Sequence, residues 1–230
     1  MSDSQTNWDS VSPARRMNPE RRREHLIQTA LRLYADQPPD LIAVDDVARA
    51  ADVSRALFYR YFPNINELRM AALRTVVEEI IAVMTPPENG SLIEQVRYSL
   101  HEFLGLIQTY AGAYVALQRT GSVVATAESE ELMNRVRDHI VRTVAVRIDA
   151  RMGGTGDAAS PAPMLELTMR SWFAVVESAS VAWLGEGKIA RDRLENWLVD
   201  QLVAMLATTA RHDPATASQM AAAMRNSYTK

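Results

Sequence analysis

The segment from Ser54 to Phe62 carries arginine, tyrosine and small apolar side chains at helical spacing. On a wheel that advances about 100° per residue, Phe58 and Phe62 share one side, and Ala56 and Arg60 lie opposite. An arginine can fork onto a guanine edge, a small apolar group can touch a thymine methyl, and a phenol can reach a phosphate. The pattern predicts a helix that anchors through its phenylalanines and offers its other side to duplex DNA. The alternative is a small helical core whose surface side chains have no binding role.

The elements before this helix must position it. Residues 44–51 repeat small and apolar side chains at three- and four-residue spacing, which predicts a helix of about two turns. Residues 52–54 interrupt that spacing, and Ser54 is a favourable N-cap for the helix that follows. Pro63 then ends the second helix. Two short helices joined by such a turn form a helix-turn-helix, whose second helix has the width to enter a major groove.

The string VDDVARAADVSRALFYRYF, residues 44–62, places the pairs Phe58-Tyr59 and Tyr61-Phe62 just after a Val-Ser turn. It resembles the TetR family of transcriptional regulators, and with its flanking helices the resemblance runs from residue 21 to residue 68. The resemblance implies a DNA-binding repressor that acts as a homodimer on a palindromic operator and responds to a small hydrophobic effector. The residues expected at the DNA are Ser54, Arg55, Ala56, Leu57, Tyr59, Arg60, Tyr61 and Asn64, with Arg22 and Arg23 from the arginine-rich segment before the first helix.

The chain departs from the family pattern at several of these positions. Members usually carry Gly at the position of Asp52, Ser or Thr at that of Ala43, and Lys at that of Ile65, and many carry Thr at that of Leu57. The missing Lys and Thr remove two phosphate contacts. Asn64, Arg69 or the N-terminal arginines could compensate for them.

The helical spacing continues along the chain, and no alternating strand pattern stands out. We therefore expect an all-α fold of about nine helices. The domain prediction comprises a disordered, arginine-containing arm (1–18), a helix-turn-helix domain (19–75), a ligand-binding and dimerisation domain (76–211) and a partly disordered tail (212–230).

Residues 164–184 are apolar on most sides of a helix, and the last long helix repeats this composition. A helix that is apolar nearly all round is buried on more than one face. Two such helices from each of two subunits would form a four-helix interface, an arrangement that the family resemblance also implies. The alternative is that both helices belong to the core of one chain. The predicted interface residues are Val175, Ala182, Trp183, Leu194, Trp197, Leu198, Leu202 and Met205.

A pocket for the effector is expected between the helices of the C-terminal part, because pockets in bundles combine an apolar lining with a few polar groups. The lining would suit a fatty-acyl compound, a lipid or a flat aromatic. Glu177 is conspicuous inside an apolar run, and its partner could be a ligand, Arg137 or Arg170. The predicted ligand-binding residues are Phe103, Ile107, Tyr110, Tyr114, Gln118, Ile140, Met169, Trp172, Phe173 and Glu177.

Other classes of chemistry lack a signal in the sequence. The chain has no cysteine, and its four histidines are scattered without the spacing that sets two ligands on one helix face. It carries no nucleophile elbow, P-loop or complete dinucleotide fingerprint, so we expect neither an enzyme, nor a metal site, nor a cofactor other than the effector. No run of apolar residues is long enough for a membrane span, and we expect a cytoplasmic protein that does not engage a membrane.

The net charge of −3 and the isoleucine at position 65 leave a second function open. The same helical scaffold could act as a small-molecule carrier or a partner-binding protein that binds no operator. The two functions differ in salt dependence, because a protein that contacts several phosphates loses orders of magnitude in DNA affinity as salt rises.

Overall fold

A computed structural model describes residues 18–86, 90–118, 127–152 and 161–225. The described residues form helices without strands, which confirms the all-α prediction, and the ten α-helices are one more than expected. The predicted arm at 1–18 lies almost wholly outside the described residues. The helices are α1 (Pro19–Asp36), α2 (Val44–Ala50), α3 (Arg55–Tyr61), α4 (Ile65–Val83), α5 (Leu92–Thr109), α6 (Ala111–Gln118), α7 (Ala127–Met152), α8 (Pro163–Glu186), α9 (Arg191–His212) and α10 (Pro214–Arg225), with a short 3-10 helix at Pro39–Leu41.

Side-chain caps begin the helices that hold the N-terminal part together. The Asn18 side chain accepts a hydrogen bond from Arg21 N at 2.8 Å, and Asn64 does the same for Glu67 N at 3.0 Å. Each cap satisfies an amide that has no partner inside its helix. Helix α4 then runs without interruption through residue 75, so one helix joins the predicted DNA-binding domain to the rest of the chain.

The N-terminal helices also touch the C-terminal part through α1 and α6. At Gly112 the two backbones approach so closely that a Cβ would lie 1.7 Å from the carbonyl oxygen of Tyr34. Only glycine fits there without moving one helix. This contact and α4 are two routes by which a shift in the C-terminal helices can reach the N-terminal ones.

Helix α10 occupies most of the stretch that the sequence analysis treated as a partly disordered tail. Asp213 begins it by accepting hydrogen bonds from Thr216 N at 3.0 Å and Thr216 Oγ1 at 2.6 Å. The helix packs on α7 and α9. An aspartate followed by a proline is an ordinary helix start, so the signal was present in the sequence, although the weak apolar spacing after it hid the helix.

Candidate functional site

The turn between α2 and α3 is set by backbone geometry at its centre. Asp52 has a φ of 53°, in the left-handed region. Val53 N bonds to Ala48 O at 2.9 Å and Asp52 N to Arg49 O at 3.3 Å, the paired bonds of a Schellman motif at the end of α2. Ser54 Oγ then accepts from Leu57 N at 3.1 Å and begins α3. The left-handed residue explains why glycine suits this position in the family and why aspartate is tolerated.

Two phenylalanines anchor α3, as its helical spacing predicts. Phe58 and Phe62 are 0% and 2% exposed, with ring centroids 6.0 Å apart. Their burial turns the opposite side of α3 outward, where Tyr59 is 46% exposed. The other predicted contacts on this side are Ser54, Arg55, Ala56 and Arg60, all exposed, and Leu57 and Tyr61, both half-buried. We call these seven residues together the α3 face.

Arg55 lies beside an acidic residue of α2. Its guanidinium donates to Asp45 Oδ2 at 2.9 Å, and both side chains are more than half exposed. A hydrogen bond with Tyr59, followed by the nearby Asp45 carboxylate, raises the pKa of Arg55. Arg55 and Tyr59 therefore lie side by side on the α3 face, in a position where a phosphate could replace the carboxylate.

The other three predicted DNA contacts differ in exposure and in the contacts that they make. Arg22 is buried at 7% exposure, so the structure argues against it as a phosphate contact. Arg23 is exposed, and its guanidinium carbon lies 5.0 Å from the centroid of Phe62, a cation–π contact that holds it next to α3. Asn64 is exposed, although its side-chain oxygen is engaged as the cap of α4.

Arg69 is excluded as a substitute for the missing lysine, because its guanidinium faces inward. It donates to Pro39 O at 3.0 Å, Ile42 O at 3.0 Å and Asp40 O at 3.3 Å. It also bonds Asn66 Oδ1 at 2.7 Å. The side chain ties the loop before α2 to α4. The role of Arg69 is therefore structural, and its guanidinium is not free to contact DNA.

A second feature is an apolar cavity of about 70 Å³ in the C-terminal part. At about 30 Å³ per water, this volume has room for about two water molecules. Its walls come from the end of α4, the first half of α5, the middle of α7 and the first half of α8. The lining residues are Met84, Pro86, Leu92, Gln95, Val96, Ser99, Leu100, Ile140, Thr143, Val144, Arg147, Met169, Trp172, Phe173 and Val176.

Four of the predicted ligand-binding residues line this cavity, namely Ile140, Met169, Trp172 and Phe173. The other six lie elsewhere, because α6 fills the space beside the second half of α5. Phe103 and Tyr114 pack edge to face at 5.7 Å, Ile107 is fully buried, and Tyr110 donates to Glu79 Oε1 at 3.2 Å. The cavity begins one turn nearer the start of α5, where Gln95, Val96 and Ser99 continue the helical stripe of Phe103. That stripe was the signal for the residues that sequence reasoning missed.

Glu177 has partners within the chain. Arg137 Nη2 donates to its two carboxylate oxygens at 2.9 and 3.0 Å, and Gln118 Nε2 donates at 3.3 Å. Arg170 instead bonds Glu166 and Asp138, at 2.9 and 3.0 Å. Of the three partners considered for Glu177, the structure supplies Arg137, and neither Glu177 nor Gln118 lines the cavity.

The predicted interface residues divide into two groups. Trp183, Leu194, Leu198 and Leu202 are at most 7% exposed within one chain, because α8 and α9 pack on each other. These four belong to the core of one chain, and their role as interface contacts stays a prediction. Trp197 is 46% exposed, Ala182 is exposed, and Val175 and Met205 are half-buried. These four remain available to a partner, together with the exposed Val203 of α9.

Two family descriptions match the chain. Residues 26–72 match "Bacterial regulatory proteins, tetR family", and residues 92–205 match "Tetracyclin repressor-like, C-terminal domain". The first match contains α2 and α3, and the second contains most of the cavity wall.

Individual relatives agree with these matches. The HTH-type transcriptional regulator EthR of Mycobacterium tuberculosis is 29% identical over 128 residues, which are 54% of this chain and 59% of EthR. The chain thus spans less than two thirds of that curated relative. A tetR-family transcriptional regulator from Streptomyces coelicolor superposes with a TM-score of 0.81 at 28% identity, over 91% of this chain and 90% of the other. The regulator LfrR of Mycobacterium smegmatis, solved with proflavine, has a TM-score of 0.56 at 21% identity, over 81% and 96%.

The described residues carry neither a membrane span nor a metal-binding cluster. None of their helices combines the length and apolarity that crossing a bilayer requires. The same part of the chain contains no group of three or more histidine, aspartate or glutamate side chains placed to hold a metal ion.

Proposed function

Because the chain belongs to the TetR family of bacterial regulatory proteins, we propose that it is a DNA-binding transcriptional regulator that acts as a repressor in the cytoplasm. The family is one of regulators rather than enzymes, and the proposal includes no catalytic step. The observation that carries it is the α3 face, which combines an exposed arginine pair with two phenols on a helix that two buried phenylalanines hold in place. Arg60 and Ala56 would contact base edges, while Tyr59 and Arg55 would position the helix on phosphates.

The protein would read its operator as a homodimer. Trp197 on α9 and Ala182 on α8 line one depression, and Val175 and Met205 are further apolar residues of these two helices that one chain leaves partly uncovered. A twofold contact through this surface would set two α3 helices toward one duplex, so the operator would be palindromic.

Sedimentation equilibrium tests the dimer. Trp197→Glu is expected to shift the protein toward monomer by at least tenfold in the dissociation constant. Tyr98→Glu is the matched control, because Tyr98 is an aromatic residue of α5 that is 47% exposed, against 46% for Trp197. Equal dimerisation of both variants would refute the proposed surface.

The effector would be a small, mostly apolar molecule in the cavity. Met84 and Pro86, at the end of α4, form part of the wall. An effector larger than about two waters would widen the cavity, and the end of α4 is one of the walls that would move. Helix α4 starts next to α3, so this displacement would change the placement of the α3 face. The effector shifts DNA affinity only as far as it binds one arrangement better than the other. A bound small molecule also has a precedent in LfrR, which was solved with proflavine.

Selection of binding sites from random duplex DNA, followed by titrations, tests DNA binding. Arg60→Ala is expected to weaken binding to the selected duplex about tenfold or more, since a good base contact contributes roughly 1–3 kcal/mol. Tyr59→Ala removes a phosphate contact and is expected to weaken binding to selected and unselected duplexes alike. Arg97→Ala and Tyr98→Ala, an exposed arginine and tyrosine on α5, are the matched controls and are expected to bind as the parent does. Folded Arg60 and Tyr59 variants with parental affinity would refute the assignment.

One observation favours the second function, that of a carrier or partner-binding protein. Arg22 and Arg69, two of the residues that could replace the missing phosphate-contact lysine, are buried. A carrier would enrich no duplex from the random pool and would show no selective binding at low salt. A regulator is expected to enrich one and to lose orders of magnitude in affinity as salt rises from about 50 to 200 mM.

A further inference from the structure

The Ser99 hydroxyl is the most unusual polar group in the wall of the cavity. Ser99 lies on α5 and is 8% exposed. Its Oγ is shielded from solvent and makes no hydrogen bond with any group in the described part of the chain. A buried helical serine usually donates to a carbonyl one turn earlier, as Thr168 Oγ1 does to Met164 O at 2.7 Å.

The other polar groups of the described wall are engaged. Arg147 donates to Pro86 O at 2.6 Å, and Thr143 Oγ1 lies 3.4 Å from His139 Nε2. Gln95 also has a polar partner. The remaining lining residues are apolar, among them Leu100, Val144 and Trp172. Ser99 is therefore the group whose hydrogen-bonding capacity is left for a molecule inside the cavity.

We propose that the cavity binds a neutral, mostly apolar molecule with a carbonyl oxygen in its body, as in a ketone, ester or amide, and that this oxygen accepts a hydrogen bond from Ser99. The inference rests on the proposed function, because it describes the effector of that regulator. An O–H group without an acceptor is costly to bury, and a carbonyl oxygen supplies the acceptor without bringing a second donor that would need its own partner. A carboxylate would add the larger cost of burying a charge among apolar side chains.

A pair of probes that differ at one group tests the proposal. Butyrophenone and butylbenzene share a phenyl ring and an alkyl chain, and only the ketone carries the oxygen. Their dissociation constants are measured by calorimetry on the full-length parent, on Ser99→Ala and on Ser99→Thr, without DNA. The ratio of the two constants is compared between proteins, so that the different hydrophobicity of the probes cancels.

The ketone preference of the parent is expected to exceed that of Ser99→Ala roughly three- to tenfold, the effect of one neutral hydrogen bond. Ser99→Thr, which keeps the hydroxyl, is expected to retain the preference. The matched control is Ser180→Ala, which removes another buried serine hydroxyl that makes no hydrogen bond in the described part of the chain but does not line the cavity. This variant is expected to keep the parental ratio.

Two results would overturn the proposal. One is the same probe ratio in the parent and in Ser99→Ala, which would mean that the hydroxyl is satisfied in another way, for example by a bound water. The other is binding of neither probe by the parent. Neither result bears on DNA binding, which the titrations of Arg60 and Tyr59 variants measure without a probe, so the two proposals fail separately.

Discussion

Replacing Arg69 by methionine is expected to destabilise the protein strongly, although Arg69 does not belong to the α3 face. The side chain of methionine fills similar space but leaves the carbonyl of Ile42 without its donor and removes one of two hydrogen bonds at the carbonyl of Pro39, which keeps the one from Ile42 N at 3.3 Å. An unpaired buried carbonyl costs about 1–3 kcal/mol and a lost hydrogen bond to a charged group about 1.5–3 kcal/mol, so the two together predict a loss of about 4 kcal/mol. That is a large fraction of the roughly 5–15 kcal/mol by which an ordinary domain is stable.

Urea unfolding, followed by circular dichroism, measures this loss as a fall in the free energy of unfolding. Arg74→Met is the matched control, because it removes the same charge from the same helix. Arg74 pairs with Glu128 at the surface, with 41% and 45% of the two side chains exposed. Such pairs contribute less than about 1 kcal/mol. If Arg69→Met and Arg74→Met differ by less than 1 kcal/mol, the bonds from Arg69 do not hold the loop before α2 as described.

Substitutions at Asp52, Gly112 and Ser99 are also expected to change the free energy of unfolding, and the same urea assay measures each change. Asp52→Gly is expected to raise the free energy of unfolding by about 0.5 kcal/mol, since glycine adopts the positive φ without strain, whereas Asp52→Ala should lower it by about 1 kcal/mol. Gly112→Ala is expected to lower it by about 2–3 kcal/mol, because the added carbon would collide with the Tyr34 carbonyl. Gly185→Ala, whose Cβ would meet nothing within 4 Å, should instead be neutral or stabilising, and equal effects of the two alanines would contradict the close contact. Ser99→Ala is expected to raise stability by about 1 kcal/mol in the absence of ligand, and a loss would show that the hydroxyl is already bonded.

The α3 helix could be predicted from sequence because its information is local. Phe58 and Phe62 are four residues apart, so one helical period places both inside and leaves Tyr59 and Arg60 outside. The cap at Ser54 and the turn at Asp52 are also local signals. Periodicity says which residues share a face, and for a short helix with a single apolar face this is enough.

For helices with two apolar faces, the same reasoning does not predict which face is buried within the chain. Leu198 and Trp197 are neighbours on α9 and both have apolar side chains, but Leu198 is fully buried and Trp197 is 46% exposed. Which face packs on α8 depends on the arrangement of several helices, and no local pattern records it. Arg22 shows the same limit for a charged residue. An arginine in a basic cluster is expected to be exposed, and only the packing of α1 against the rest of the chain buries it.

Ser99 is the clearest case of a feature without a sequence signal. A serine in a helix normally satisfies its hydroxyl on its own backbone, so its residue type predicts nothing about a ligand. The orphan hydroxyl emerges only when the end of α4 and helices α5, α7 and α8 enclose one cavity.

Site-directed crosslinking to DNA tests the central claim most directly, and the absence of cysteine from the chain makes single labels simple to introduce. Ala56→Cys, on the α3 face, and Tyr98→Cys, on α5, each carry one photoactivatable group and are mixed with the duplex selected from the random pool. Our account predicts crosslinks from position 56 to bases of that duplex and none from position 98. Equal crosslinking from both positions, or crosslinks from position 98 alone, would contradict it.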